Sequence, residues 1–226
     1  MQGCHIKAAL PLERGSFEMS GFFSVDGGLY RFLSRFWDLV KLNFMWLLFS
    51  LPIVTIGAST VAAYSVAMKM VDDEEGYVAR SFVSAFRANL RQGVIMGLIF
   101  LAATYAIYLD YEINRVSEEG SFILIAIGIV SVFVYVAAML YSFPLLARYE
   151  NGIVATIQNS MEISRRYFGR TLLIVGVLLL EYVIFHFNTV LLCLGYLFGV
   201  SFAIFTVAAF SKRIFQEIEK EPGAVR

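Results

Sequence analysis

Five stretches of this chain carry no Asp, Glu, Lys or Arg: residues 42–68, 92–109, 120–147, 171–180 and 182–211. The last two are separated only by Glu181. A helix that crosses a bilayer core needs about 20 apolar residues, and these runs supply that length several times over. Of the 226 residues, 59% are hydrophobic and 16% charged, where an average soluble protein has about 45–50% and about 25%. A soluble domain of this size would leave wide apolar patches in water. The pattern excludes an ordinary cytosolic globular protein and a disordered chain, and predicts an all-α, polytopic membrane helix bundle. Acidic and basic residues balance at 18 each, so the chain as a whole has no charge with which to hold nucleic acid.

Residues 92–109 and 120–147 each fit one span. Residues 171–187 and 189–210 fit two, joined by a short turn at Asn188. The first run holds Pro52 and Gly57, which predict a helix over 29–51, a break at Pro52 to Gly57, and a second helix over 58–71. Lys and Arg cluster at 69–91, at 148–170 and in 212–226, whereas residues 110–119 hold only Arg115 and the Asn188 turn holds none. Basic loops stay on the cytoplasmic side. With Lys7, Arg14, Arg31, Arg35 and Lys41 also inside, the chain has about six membrane segments and both termini in the cytoplasm. The alternatives are five spans with the N-terminus outside, or a re-entrant first hairpin. Trp37 and Trp46 fall near the ends of the first span, where aromatic belts form.

Two amphipathic cytoplasmic helices are predicted. Over residues 78–92, Val78, Phe82, Phe86 and Leu90 share one face, and Arg80, Arg87 and Arg91 the other. Over 152–170, Ile153, Ile157, Met161 and Phe168 face one way, and Gln158, Glu162, Arg165 and Arg166 the other. Arg80, Arg87, Arg91, Arg165 and Arg166 are candidates for docking a partner or for meeting lipid headgroups. Pro144 marks a further helix break. The pairs Gly93/Gly97 and Gly195/Gly199 allow close helix packing, within the chain or between two copies in a homodimer.

Glu181 is the one formal charge inside a strongly apolar span, about 16 Å from Arg170 at 1.5 Å per residue. It is either a coupling acid for a proton or substrate, or a neutral carboxyl bonded to a hydroxyl of another span. Two cysteines and two histidines cannot assemble a metal site, and no nucleotide-binding or hydrolase motif occurs. No catalytic residue, cofactor or metal is expected.

Lys41-Leu42-Asn43, followed by Leu51-Pro52-Ile53-Val54-Thr55-Ile56-Gly57-Ala58, resembles the signature of the YesL family, also called domain of unknown function 624. Asp73-Glu74-Glu75-Gly76-Tyr77, Arg80-Ser81-Phe82, Ala85-Phe86 and Asn89 resemble that family's first cytoplasmic segment. Phe143-Pro144-Leu145-Leu146-Ala147-Arg148-Tyr149-Glu150 resembles a later motif. The resemblance covers residues 22–213. It leaves 1–21 as an N-terminal extension expected to be poorly ordered, with Met19 as an alternative start, and 214–226 as a cytoplasmic tail. It implies a bacterial integral membrane protein of the cell membrane, of a kind whose genes often lie beside sugar-uptake ABC transporters and glycoside hydrolases. The expected role is therefore a non-enzymatic accessory or permease-like component of ABC-type oligosaccharide uptake, with permease subunits as partners. The alternative is an independent secondary transporter or exporter that uses Glu181.

Overall fold

The computed structural model describes residues 28–72, 77–116 and 122–220. Every regular element among them is helical. The expected extension at 1–21 and the acidic run at 73–75 lie outside the described residues. The chain forms two compact units, Met1–Asp38 and Leu39–Arg226, and the packing below is that of the second. In order, the elements are α1 (Gly28–Ser50), a 3-10 turn (Ile53–Thr55), α2 (Ile56–Val71), α3 (Val78–Val116), α4 (Phe122–Arg148), α5 (Ile153–Arg166), α6 (Phe168–His186), α7 (Thr189–Leu194), a π-helical turn (Gly195–Gly199) and α8 (Val200–Lys220).

Five segments are long and apolar enough to cross a membrane: Ile53–Val71, Val78–Val116, Ile125–Arg148, Phe168–His186 and Thr189–Lys220. Helix α1, read from the sequence as a span, is not among them, because Arg35, Asp38 and Lys41 interrupt its apolar residues. Large apolar side chains such as Leu101, Ile129, Val130, Leu172 and Leu179 point outward. On a water-soluble protein they would drive aggregation, whereas on a membrane helix bundle they match the lipid chains.

The centre of the bundle is α2. It is thin, carrying Gly57, Ala58, Ser59, Ala62, Ala63 and Ala67, all buried, and so it fits inside a ring of neighbours that includes α3, α4 and α8. The chain breaks at Pro52. There the Thr55 hydroxyl lies within hydrogen-bond reach of Phe49 O (2.7 Å), a carbonyl that the end of α1 leaves open, and of Pro52 O (2.8 Å), which also accepts from Thr55 N–H. Gly57 is not part of that break. It is the second residue of α2 and sits against α3, where a Cβ would lie 2.6 Å from Gly97 Cα. The glycine is there for close approach of two backbones, not to loosen the chain.

Helix α3 runs unbroken for 39 residues, so the amphipathic segment 78–92 and the following span are one rod. Pro144 does not break α4, which continues to Arg148. The ring removes one backbone hydrogen bond, but Pro144 is itself buried and its neighbours hold the helix in place. Trp46 is half-buried, and its Nε1 donates to Thr60 Oγ1 of α2 (3.1 Å).

Helix α5 buries a face that overlaps its apolar stripe. Its buried residues are Thr156, Ser160, Ile163 and Ser164; Ile153 and Ile157 of the predicted stripe also pack against the core, whereas Met161 and, at the start of α6, Phe168 are exposed. Small side chains four apart let α5 approach α4 closely, and Ser160 Oγ donates to Ala138 O (2.6 Å). The segment read as a tail from 214 continues α8 to Lys220 and buries Ile214, Phe215 and Ile218.

Candidate functional site

Basic residues collect where the ends of α2, α4, α6 and α8 meet, and most are paired. Arg148 forms two parallel bonds to Glu219 (Nε to Oε1 and Nη2 to Oε2, each 3.1 Å). Tyr149 OH donates to the same carboxylate (2.6 Å). Burial, and then the bond to Glu219, push the Tyr149 phenol up to about 12, so it stays a donor across the physiological range. Arg170 pairs with Glu217 (2.7 Å). Lys212 points inward from α8, donates to Met68 O near the end of α2 (3.3 Å) and pairs with Asp72, the residue that caps that helix. A cation here meets both the open carbonyls and the negative end of the helix dipole.

The five candidate arginines divide. Arg165 is held by Glu162 on its own helix (2.8 Å), and Arg166 lies over the Tyr167 ring (5.7 Å). Arg80, Arg87 and Arg91 are exposed on α3, and among the described residues no carboxylate pairs with them. At 100° per residue they fall within an arc of about 40° and form a stripe about 16 Å long.

Glu181 of α6 faces α8. Thr206 Oγ1 donates to its Oε1 (2.6 Å), and its Oε2 is buried with no hydrogen-bond partner. His186, five residues on, is exposed and bonds Tyr182 O on its own helix (2.8 Å), so the two do not come together.

Both glycine pairs are used within the chain. Gly93 and Gly97 receive Gly57 and Ala58 of α2, and Gly195 and Gly199 receive the Phe185 ring of α6. Neither pair is left open for a second copy. No group of three or more metal-ligating side chains occurs among the described residues.

Periodicity gave no sign of Asn43. It is 1% exposed, and its carboxamide makes four contacts to the π turn and α8, at Tyr196 O, Leu197 O, Ser201 N and Ser201 Oγ. The usable signal was a lone amide in a charge-free run. Such a group must find partners inside the protein.

A family model described as "Protein of unknown function, DUF624" matches residues 39–111. That segment holds Asn43, the glycine crossing and the arginine stripe. Over 209 residues the chain is 29% identical to "Uncharacterized protein YesL" of Bacillus subtilis (strain 168), an alignment covering 89% of this chain and 98% of that protein. No solved structure matches. The family match and the relative that aligns with most of the chain together support placing this chain with the YesL/DUF624 proteins, described as being of unknown function.

Proposed function

We propose that the protein is a non-enzymatic membrane component of ABC-type oligosaccharide uptake, an accessory or permease-like subunit that docks its partner through Arg80, Arg87 and Arg91. The supporting observation is that α3 is one rod. Its charge-free part, residues 92–109, is about 27 Å long at 1.5 Å per residue, enough for the hydrocarbon core. The arginine stripe continues the same axis for about 16 Å, whereas the headgroup layer is only about 5–7 Å deep on each side. A helix lying flat on the membrane would give all three arginines to lipid phosphates. A rod that continues a span carries Arg80 past the headgroups, where protein carboxylates are the fitting partners. The sugar link comes from the family resemblance.

The test is to purify the tagged protein from its native membrane in mild detergent and identify what accompanies it. Permease or ATPase subunits at stoichiometric level are expected, and they should be lost from the variant Arg80→Glu/Arg87→Glu/Arg91→Glu while its helix content and elution profile stay unchanged. A protein that purifies alone would overturn the proposal.

The unpaired Oε2 of Glu181 favours a second reading, a secondary transporter with Glu181 as the coupling acid. On that reading Glu181→Gln abolishes substrate movement in proteoliposomes at equal protein content. Full activity in that variant would remove it.

A further inference from the structure

We propose that the π turn at Gly195–Gly199 is a register switch, held in its π state by the Asn43 carboxamide. In an α-helix Ser201 N–H would donate to Leu197 O, four residues back. Here Asn43 bridges those two groups. Ser201 N–H donates to Asn43 Oδ1 (3.3 Å), and Asn43 Nδ2 donates to Leu197 O (2.8 Å). The side-chain amide has taken the place of one rung of the ladder. Its second amide hydrogen goes to Tyr196 O (3.2 Å), and Ser201 Oγ adds a bond to Oδ1 (3.3 Å). Four groups of the turn and the start of α8 are thus held by one residue of α1.

An inserted side chain is a recognised cause of a local break in the i→i−4 pattern, and π turns collect at functional positions. When Asn43 withdraws, Ser201 N–H and Leu197 O are left facing each other in an apolar setting. The direct remedy is to close the α rung. The residues on the two sides of the turn then change phase by about 100° and about 1.5 Å. The π state has a second support on α6. A Cβ at Gly195 would lie 3.1 Å from Phe185 Cγ, so the π register places a glycine under that ring, which also packs edge-on against Phe198. The α register would turn a leucine or tyrosine towards it. Asn43 on α1 and Phe185 on α6 thus select one register from opposite sides, and movement of either helix is transmitted into the register of α7.

Exposed Cys193 lies on α7 just before the turn, and exposed Gln216 lies on α8 beyond it. In a Cys4→Ser, Gln216→Cys background, spin labels at 193 and 216 report the phase between the two sides by pulsed electron resonance. Asn43→Ala should move the main distance by several ångströms. Deleting Leu197 in the same variant should restore the original distance, because removing the extra residue makes the helix α throughout with its flanks in their first phase. A distance unchanged by Asn43→Ala, or not restored by the deletion, overturns the proposal. If Asn43→Ala alone cannot be purified, recovery of folded protein on deleting Leu197 supports the switch, and failure of both variants overturns it.

Discussion

Leucine at Gly57 or at Gly97 should prevent α2 and α3 from closing on each other and so unfold the centre of the bundle. A Cβ on Gly97 would lie 2.8 Å from Gly57 Cα, and one on Gly93 2.5 Å from Ala58 Cα. The obstructing atoms are backbone on both sides, so no rotamer change relieves the clash. Overpacking in a core costs about 1–3 kcal/mol and more where neither side can shift. In a chain of this size about 3 kcal/mol lowers the melting midpoint by about 6–12 °C. The larger consequence is that α2 touches α3, α4 and α8, so displacing it opens all three contacts. Thermal unfolding in detergent, followed by thiol reactivity or loss of the monodisperse peak, is the measurement. Gly176→Ala is the control, since nothing lies within 4 Å of a Cβ there, and its midpoint should equal or slightly exceed that of the unaltered protein. A Gly97→Leu variant that melts with the unaltered protein would show that the crossing is not tight.

The same crossing shows which parts of the fold were legible in the sequence. Charge-free runs located the five helical segments long and apolar enough to cross a membrane, and overreached only in α1, because a bilayer penalises charge by depth and leaves a one-dimensional record. Gly93/Gly97 was legible as a packing surface, because small residues four apart serve close approach. Its partner Gly57 was not, because beside Pro52 a glycine reads as part of a break, and only the path of α2 shows it inside a helix. Face selection was legible only in part. On α5 the apolar residues Ile153 and Ile157 do pack against the core, but the most buried positions, Thr156, Ser160 and Ser164, lie to one side of that stripe, because small side chains allow the closest approach to α4. Asn43 could be read as an amide in need of partners, but neither its partners nor those of Lys212 could be named, for another reason. Each acts on main-chain atoms more than 140 positions away, and nothing local in a sequence marks a carbonyl or an amide as unclaimed.

Lys212 and Asp72 should respond asymmetrically, and Asp72→Ala should do more damage than Lys212→Met. The lysine side chain is 4% exposed and the aspartate 45%. Removing the aspartate leaves an ammonium inside the bundle with Met68 O as its hydrogen-bond acceptor. An uncompensated buried charge costs about 3–5 kcal/mol, and the exposed approach through Asp72 argues for the lower end, near 3 kcal/mol. Removing the lysine leaves the carboxylate half in water and replaces the ammonium with a side chain of similar length. The remaining loss is the carbonyl bond and the favourable cation at the end of α2, about 1 kcal/mol. The two losses should not add. Asp72→Ala/Lys212→Met has no buried charge, so it should melt within a few degrees of Lys212→Met alone and above Asp72→Ala. Midpoints for the four proteins in one detergent complete the cycle. Equal losses in the two single variants, or additive loss in the double, would mean that Lys212 is solvated at the end of α2 and that the pair is not a buried clasp between α2 and α8.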